Sequence, residues 1–271
     1  MHANTFGFVG AGLMAEAIAR SLVSAKLFTP AHILASDVAE PRRQLFESLG
    51  IRATQDNRAV VRQADALLIA VKPQNVPDLL KEIGPDLRAG HLVITICAGV
   101  PTAVFEAAAS APVRVVRAMP NQPIRVGRGM TALCRGRHTT DDDMKFANAV
   151  FSAGGKAVEV KEEMIDAVTA ISGSGPAYFY FLVEVLIEAG IREGLPPDVA
   201  KTLAVQTAHG AAEVMNVEYH VPPEEHRRRV TSKGGATEAA FRTKEEHRVR
   251  EGLLAAFHAA AERAGELGGR K

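Results

Sequence analysis

A glycine pair near the C-terminus lies among residues that could hold a small carboxylate. The segment VTSKGGATEAAF follows Arg229 and places hydroxyl groups and two glycines directly before Thr237. Glycines expose backbone N–H groups, and a helix N-terminus adds roughly half a positive charge, so an anion can bind there without a basic side chain. Thr237 would add a hydroxyl donor. Taken alone, the same residues also fit an ordinary loop and helix cap.

A second chemical feature lies at the other end of the chain. The segment TFGFVGAGLMAEAIARSLV contains a GxGxxA pattern at Gly10, Gly12 and Ala15, between an apolar strand-like run and a helix-like run. It resembles a Rossmann dinucleotide-binding turn, in which the first glycine permits a tight turn and the second lets backbone approach a pyrophosphate. The small third residue lets the helix pack closely on the strand. A plain strand-to-helix turn is the alternative.

Composition limits the classes of function. The 271 residues, 47% of them hydrophobic, can form one large domain or two moderate ones. A formal net charge of +1 with mixed signs along the chain argues against a nucleic-acid or membrane-surface partner. We see no apolar run near the ~20 residues of a membrane span and no signal-peptide pattern. We therefore expect a cytoplasmic protein, with Cys97 and Cys134 as reduced thiols.

Short apolar runs alternate with helical patterns over residues 1–161. The strand candidates are FGFVG, HILASD, ALLIAV, LVITICAG, VRVVRAMP and KAVEV. This alternation predicts βαβ units and a parallel sheet, that is, an α/β Rossmann-like domain. Ligands of such sheets bind beyond the carboxyl ends of the strands. The residues found there, which we expect to form one rim, are Lys72, Pro73, Ala98, Gly99, Pro120 and Asn121.

Residues 162–271 are predicted to be almost entirely helical. The run YFYFLVEVLIEAGIREG is apolar almost all round, so it must be buried. A domain of this size can cover such a helix with a second copy of itself, which predicts a two-fold homodimer; a monomeric bundle is the alternative. Thr243 and Glu246 have the spacing of a capping box that would open the last helix. The histidines show no metal-ligand spacing, so no metal is expected.

Six segments together resemble the pyrroline-5-carboxylate reductase family. They are FGFVGAGLMAEAI, AVKPQ from Ala70, ICAGV, RAMPNQP, SGSGPAYFYF and VTSKGGAT, in the family's order. The resemblance implies an N-terminal Rossmann domain, an all-helical dimerisation domain, and reduction of a cyclic imine to proline with NADPH or NADH. Many members assemble further into decamers.

The resemblance also implies a role for individual residues. The predicted cofactor-binding residues are Gly10, Ala11, Gly12, Leu13, Met14, Ala15, Ser36, Asp37, Asn57, Ala70, Val71, Lys72, Pro73, Cys97, Ala98, Gly99 and Asn121. The predicted substrate-binding residues are Ser232, Gly234, Gly235, Ala236 and Thr237. Thr237 is the catalytic candidate, because its hydroxyl would orient the ring nitrogen and relay a proton to it.

Three features depart from the family pattern. Lys233 stands where the family usually has proline, and either assists anion binding or points to solvent. Asp37 stands after the second strand, where it would repel the 2′-phosphate of NADPH and accept hydrogen bonds from the ribose of NADH; Arg42 and Arg43 could compensate, and Asp37 could instead be a helix N-cap. We expect NADH or dual use. Leu13 occupies an often polar position.

Two other functions share these motifs. A β-hydroxyacid dehydrogenase would need a lysine one helical turn beyond its glycine-rich stretch, and SGSGPAYFYFLVEV contains none. A nucleotide-binding homologue without turnover is the other alternative. The arginines at 227–229 could steer an anionic substrate, or they could form a solvated helix face.

Overall fold

The computed structural model describes residues 3–268, which form two compact units. One contains residues 3–174 and 260–268, and the other is Gly175–Ala259. The first helical residues after the predicted domain boundary at residue 161 therefore belong to the first unit. The domain boundary itself stays a prediction.

The first unit is built on one eight-stranded sheet. Its strands are β1 (Phe6–Val9), β2 (Ile33–Ser36), β3 (Arg52–Thr54), β4 (Ala66–Ile69), β5 (Leu92–Thr95), β6 (Arg114–Pro120), β7 (Gly129–Arg135) and β8 (Gly155–Glu159). The spatial order is β3-β2-β1-β4-β5-β6-β7-β8, and only the β6–β7 pair is antiparallel. The first six strands have the Rossmann order, which reverses between β1 and β4. The predicted fold class is confirmed.

Helices cover both faces of this sheet. They are α1 (Leu13–Ser24), α2 (Glu40–Ser48), α3 (Asn57–Gln63), α4 (Val76–Ile83), α5 (Thr102–Ala108), α6 (Asp141–Ser152) and the short α7 (Ile165–Val168). The strands β1, β2, β4 and β5 are buried along their whole length, as expected for parallel strands covered on both faces. One face of the core contains an aromatic cluster of Phe6, Phe8 and Phe46.

Helix ends show where the sequence patterns were right and wrong. The segment PRRQLFESLG predicts a helix that ends at a C-capping Gly50, and α2 does end just before Gly50, whose φ of +77° suits this role. The capping box predicted at Thr243 is wrong, because Thr243 lies inside a helix and its hydroxyl donates to the Ala239 carbonyl at 3.3 Å. A capping box exists instead at Thr140, which opens α6 with Asp143.

The second unit is entirely helical. Its elements are α8 (Gly175–Arg192), α9 (Pro197–Val217), α10 (Pro223–Arg229), α11 (Ala236–Glu246) and the first part of α12 (Val249–Leu267). Helix α8 continues α7 through a π-helical turn at Thr169–Gly173, so SGSGPA widens the helix without breaking it. The large side chains of α8 are exposed in the single chain, among them Phe179, Phe181 and Leu182.

One helical segment contradicts the expectation that no apolar run approaches membrane length. Residues Glu162–Arg192 form 31 continuous helical residues that are long and apolar enough to cross a membrane by length and composition. The sequence reading missed this run because glycines and isolated charges interrupt it. The same exposed apolar side chains are what a second copy of the chain would cover.

His91 predicts that stability falls in mild acid. It is 1% exposed, and its buried Nε2 has no hydrogen-bond partner among the described residues. Burial, with Arg88 nearby, lowers the pKa of His91 to about 4 from 6.5. The unfolded chain then binds a proton that the folded chain does not, so stability is lost as pH falls from about 6.5 to about 4, by at most ~3 kcal/mol.

Chemical denaturation of wild type and His91→Asn at several pH values tests this prediction. In the wild type, the Arg88 N–H donates to His91 Nδ1 at 3.2 Å. Asn at this position keeps an acceptor for that N–H but does not titrate. The difference in free energy of unfolding between wild type and His91→Asn should shrink as pH falls from about 6.5 to about 4. Replacing the exposed His138 by Asn is the matched control and should leave the slope of unfolding free energy against pH as in wild type. Parallel slopes for wild type and His91→Asn would contradict the assignment.

Candidate active site

A crevice opens where the carboxyl ends of β1 and β4 separate. Gly10 has a φ of +95°, and a Cβ built on it would lie 2.8 Å from the Ala70 carbonyl carbon. Only glycine therefore fits at this point, for both conformational and steric reasons. A Cβ on Gly12 would meet no described atom within 4 Å, so the space above the α1 N-terminus is open. This arrangement fits a bound pyrophosphate.

Asp37 is bonded to the glycine-rich turn. Its Oδ2 accepts from the Ala11 N–H at 2.7 Å, and its Oδ1 accepts from the Ala39 N–H at 2.8 Å. The N-cap of α2 is Ala39, so Asp37 is not the N-cap that was the alternative. Ser36 lies beside it, fully buried, and its carbonyl accepts from the Gly10 N–H at 2.8 Å. The carboxylate is thus fixed at the end of β2.

The two arginines of α2 are both engaged inside the protein. Arg42 donates to the Ala11 carbonyl at 2.6 Å and pairs with Glu16 at 2.9 Å, while Arg43 donates to the Asp37 and Val38 carbonyls. Burial raises the pKa of Glu16, but its bonds to Arg42 and Arg20 outweigh this, so the pKa lies below its usual value. These arginines hold the turn instead of projecting to solvent.

The carbonyl of Val71 is fixed by a thiol from the neighbouring strand end. Cys97 Sγ donates to the Val71 carbonyl at 3.3 Å, and the Cys97 N–H donates to Thr95 Oγ1 at 3.2 Å. Cys97 is buried and free, and burial raises the pKa of its thiol. The structure therefore brings the ends of β4 and β5 together, as the rim prediction requires.

The remaining rim residues differ in exposure. Lys72 and Pro73 are exposed after β4, and Ala98 is exposed after β5. Gly99 has a φ of +75°, and a Cβ on it would lie 2.7 Å from the Leu267 carbonyl oxygen. The part of the rim after β5 is thus formed by small residues, whereas the part after β4 carries the longer side chain of Lys72.

Asn121 is bonded to the π-helical turn. Its Nδ2 donates to the Ser172 carbonyl at 3.1 Å, and its Oδ1 accepts from the Met130 N–H at 2.8 Å. In the π turn the Ser174 N–H reaches back to the Thr169 carbonyl, which leaves other carbonyls of the turn free for outside donors. The side chain predicted to meet the cofactor thus also holds SGSGPA against the end of β6.

The other predicted cofactor residues lie at the same edge of the sheet, beyond the carboxyl ends of the strands. Leu13, Met14 and Ala15 form the first turn of α1, where Leu13 is exposed and Ala15 is buried, as helix-to-strand packing requires. Asn57 begins α3 just beyond β3, and its side-chain amide donates to Glu82 at 3.0 Å. Their contact with a cofactor stays a prediction.

In the second unit, Ser232–Gly235 form a tight turn before α11. The Gly235 N–H donates to the Ser232 carbonyl at 3.0 Å, and Gly234 has a φ of +73°. Lys233 is not among the positive-φ residues, so the turn is type II, with Lys233 at its first central position. A Cβ on Gly235 would lie 2.5 Å from Ser232 Oγ. Gly234 is needed for its left-handed conformation, and a side chain at Gly235 would require the Ser232 hydroxyl to move.

Hydrogen bonds within the turn determine which groups remain for a ligand. The Gly234 N–H donates to Glu238 at 2.7 Å, and the Gly235 N–H is used within the turn. In the described part of the chain, the N–H groups of Ala236 and Thr237 and the Thr237 hydroxyl have no acceptor, and no side chain caps the helix. The free donors therefore lie one step further along the chain than the glycine pair.

The arginine run before this turn is paired. Arg228 bonds Glu225 at 2.8 Å, and Arg229 bonds both Glu225 and Glu218. The guanidinium of Arg227 lies 4.9 Å from the centre of the Phe241 ring. These contacts favour the solvated helix face over steering. Among residues 3–268 no group of three His, Cys, Asp or Glu side chains could hold a metal.

Comparison with known proteins places this arrangement in a family. Residues 162–267 match the model for pyrroline-5-carboxylate reductase dimerisation, and residues 5–99 match the model for NADP oxidoreductase, coenzyme F420-dependent. The chain is 40% identical to pyrroline-5-carboxylate reductase of Methanosarcina acetivorans, covering 99% of both chains.

The chain belongs to the pyrroline-5-carboxylate reductase family. Two solved structures agree with this. The pyrroline-5-carboxylate reductase of Coxiella burnetii superposes with a TM-score of 0.88 at 35% identity, over 99% of each chain. The Plasmodium falciparum pyrroline carboxylate reductase, solved with NADP bound, has a TM-score of 0.87 at 30% identity, over 97% of this chain and 98% of that one.

Sequence reasoning missed several residues of this reductase site. Arg42 and Glu238 hold the two glycine-rich turns, and Asn121 was predicted without its link to Ser172. A signal existed only for Glu238, because Glu at the third helical position reaches back to the N–H groups ahead of the helix in capping boxes.

The turn geometry predicts the effect of restoring the family's proline. Lys233→Pro should raise the melting temperature by about 1–3 °C, because proline suits the first central position of a type II turn and restricts the unfolded chain. Differential scanning calorimetry measures the shift. Lys201→Pro, inside helix α9, is the contrasting control and should lower the melting temperature. Destabilisation by Lys233→Pro would contradict the assigned turn type.

Proposed function

We propose that this protein reduces 1-pyrroline-5-carboxylate to L-proline, using NADH or NADPH. The reduced nicotinamide supplies a hydride to the imine carbon, and a proton reaches the ring nitrogen. Family membership supports the reaction, and the crevice between β1 and β4 supports a dinucleotide. The last step of proline synthesis is the corresponding physiological role, and the cytoplasm is the expected compartment.

The observation that carries the proposal is the free N-terminus of α11. The N–H groups of Ala236 and Thr237 point at no acceptor in the described chain, and the helix adds its positive end. A carboxylate there receives two backbone donors and does not require a basic side chain. Ser232 and the glycine pair shape the turn so that those donors stay exposed. This fits a substrate that carries one carboxylate on a small ring.

Thr237 is the catalytic residue in this proposal. An imine accepts hydride most readily as its iminium ion, so the protein must orient the ring and keep its nitrogen protonated. The Thr237 hydroxyl, which is half-buried and has no partner in the described chain, donates to the ring nitrogen and relays a proton to it. The proposal requires this turn and a cofactor rim, from the same subunit or a neighbouring one, to face each other.

The contacts of Asp37 support NADH as the preferred cofactor. Its carboxylate is held by two backbone N–H groups at the end of β2, where a 2′-phosphate would be repelled. Arg42 and Arg43, the cations that could compensate, are bonded to Ala11, Glu16 and the Asp37 backbone. A ribose hydroxyl meets a fixed acceptor there.

The protein is proposed to act as a homodimer. The match of residues 162–267 to the dimerisation model supports this, and so do the exposed apolar side chains of α8. In a two-fold dimer, the same apolar face of a second copy covers these side chains. A membrane span would instead need the charged residues at the two ends of the helix to lie at the membrane surfaces. Assembly into decamers stays a prediction, as does the absence of nucleic-acid and membrane partners.

Activity is the direct test of the proposed reaction. Purified protein given 1-pyrroline-5-carboxylate and NADH should form proline with stoichiometric cofactor oxidation. Thr237→Ala should lower kcat/KM by about tenfold to a thousandfold, because one positioned catalytic hydrogen bond is lost. Thr237→Ser keeps the hydroxyl and should stay within about tenfold of wild type.

The outcomes separate the possible functions. Absence of proline formation by the folded, dimeric wild type would indicate a nucleotide-binding homologue without turnover. A kcat/KM for Thr237→Ala within twofold of wild type would remove Thr237 from catalysis while leaving the reaction assigned. Thr243→Ala, a threonine inside the same helix, is the matched control and should change little.

Cofactor preference is predicted to depend on Asp37. Steady-state kinetics should give a higher kcat/KM with NADH than with NADPH. Asp37→Ser should lower the NADH-to-NADPH ratio by about tenfold to a hundredfold, because a charge that repels the 2′-phosphate is removed. Asp78→Ser removes an exposed carboxylate paired with Lys81 and should leave the ratio unchanged. A hundredfold preference of wild type for NADPH would overturn the argument.

A further inference from the structure

One carboxylate holds the far end of the rim loop that follows β5. The loop runs from Cys97 to Thr102, and its near end is fixed by the Cys97 thiol on the Val71 carbonyl. At its far end, Glu162 accepts from the Thr102 N–H at 2.9 Å and from the Thr102 hydroxyl at 2.8 Å. Both carboxylate oxygens are engaged by one residue, which fixes its position and its orientation.

A buried arginine holds that carboxylate in turn. Arg117 lies in β6, is 4% exposed, and donates to Glu162 at 3.1 Å. A buried guanidinium needs a partner of opposite charge, and the partner here is Glu162, whose side chain is 29% exposed. The central strand β6 therefore sets where Glu162 lies, and Glu162 sets where the loop ends.

In the described part of the chain, the backbone of the loop between these anchors has one internal hydrogen bond, from the Val100 N–H to the Cys97 carbonyl at 3.4 Å. Ala98 is exposed, and Gly99 has a left-handed backbone that no side chain stabilises. Its backbone is restrained by contact with the end of α12 at Leu267. If Glu162 were absent, Thr102 would lose two acceptors at once, and the exposed stretch would gain freedom.

We propose that Glu162 and Arg117 are positioning residues that fix the loop 98–101 as a surface for the nicotinamide ring. The inference rests on the proposed function, because it needs this rim to bind the cofactor. Neither residue touches the reacting atoms. Their effect is on cofactor binding and alignment, and the carboxylate site at α11 is left unaffected.

Kinetics of variants at both ends of the contact test the inference. Glu162→Ala should raise KM for NADH by about tenfold and lower kcat, because a poorly placed ring loses alignment, while KM for pyrroline-5-carboxylate stays within about twofold. Glu162→Gln keeps one acceptor and should show a smaller rise. Thr102→Val loses the hydroxyl but keeps the N–H, and should resemble Glu162→Gln.

Two controls separate positioning from loss of stability. Glu163→Ala removes a neighbouring exposed carboxylate that lies 3.8 Å from the Lys161 ammonium, and it should change neither KM. Phe151→Leu lowers stability by a change in the core of the first unit. Even if its melting temperature is as low as that of Glu162→Ala, it should leave KM for NADH unchanged. If Glu162→Ala does not fold, Glu162→Gln and Thr102→Val carry the test.

The outcomes distinguish this inference from the proposed function. Ala98→Phe places a large side chain on the rim and should raise KM for NADH strongly. If it does not, the rim is not the cofactor surface, and both the site and this inference fail. If Ala98→Phe raises KM for NADH but Glu162→Ala does not, or if Glu162→Ala raises both KM values equally, only the positioning role is overturned.

Discussion

The close approach of two backbones at the ends of β1 and β4 is the constraint on which the nucleotide half of this protein depends. Gly10 must pass within van der Waals contact of Ala70, and no other residue type fits there. Because the strand order reverses at this point, the helices that follow β1 and β4 lie on opposite faces, and a crevice opens between them. The contacts of Asp37 and Arg42 with Ala11 hold the turn in that position.

Both proposed anion sites use the same device. Helices α1 and α11 each have a glycine N-cap, Gly12 and Gly235, with no side chain bonded to the first N–H groups. Among the other helices, α3 is capped by Asp56 and α6 by Thr140, whereas α2, α4 and α5 also begin without a side-chain cap. A glycine cap costs only a few tenths of a kcal/mol relative to a polar cap, so leaving donors free for a ligand is a small sacrifice of stability.

The sequence was informative where one residue type alone can satisfy a local requirement. The GxGxxA pattern, the alternation of strands and helices, and the cap at Gly50 are of this kind, and so is the fold class. Strand β3 was missed because three residues with an exposed Arg52 carry no periodicity, and β7 because its antiparallel pairing depends on β6. The spacing at Thr243 suggested a cap, but α11 continues through it.

Networks between distant residues could not be read from local patterns. A charge at position 117 inside an apolar strand shows that a partner exists but does not identify it, since Glu162 is 45 positions away. The same holds for Asn121 and Ser172.

The environment of Cys97 has a consequence for the chemistry of living cells. Only the thiolate form of cysteine reacts readily with peroxides, and burial raises the pKa of the Cys97 thiol, which favours the protonated form. A thiolate beside the proposed nicotinamide surface would be a point of oxidative damage. Here the sulfur is a buried hydrogen-bond donor, an environment that lowers its reactivity towards oxidants.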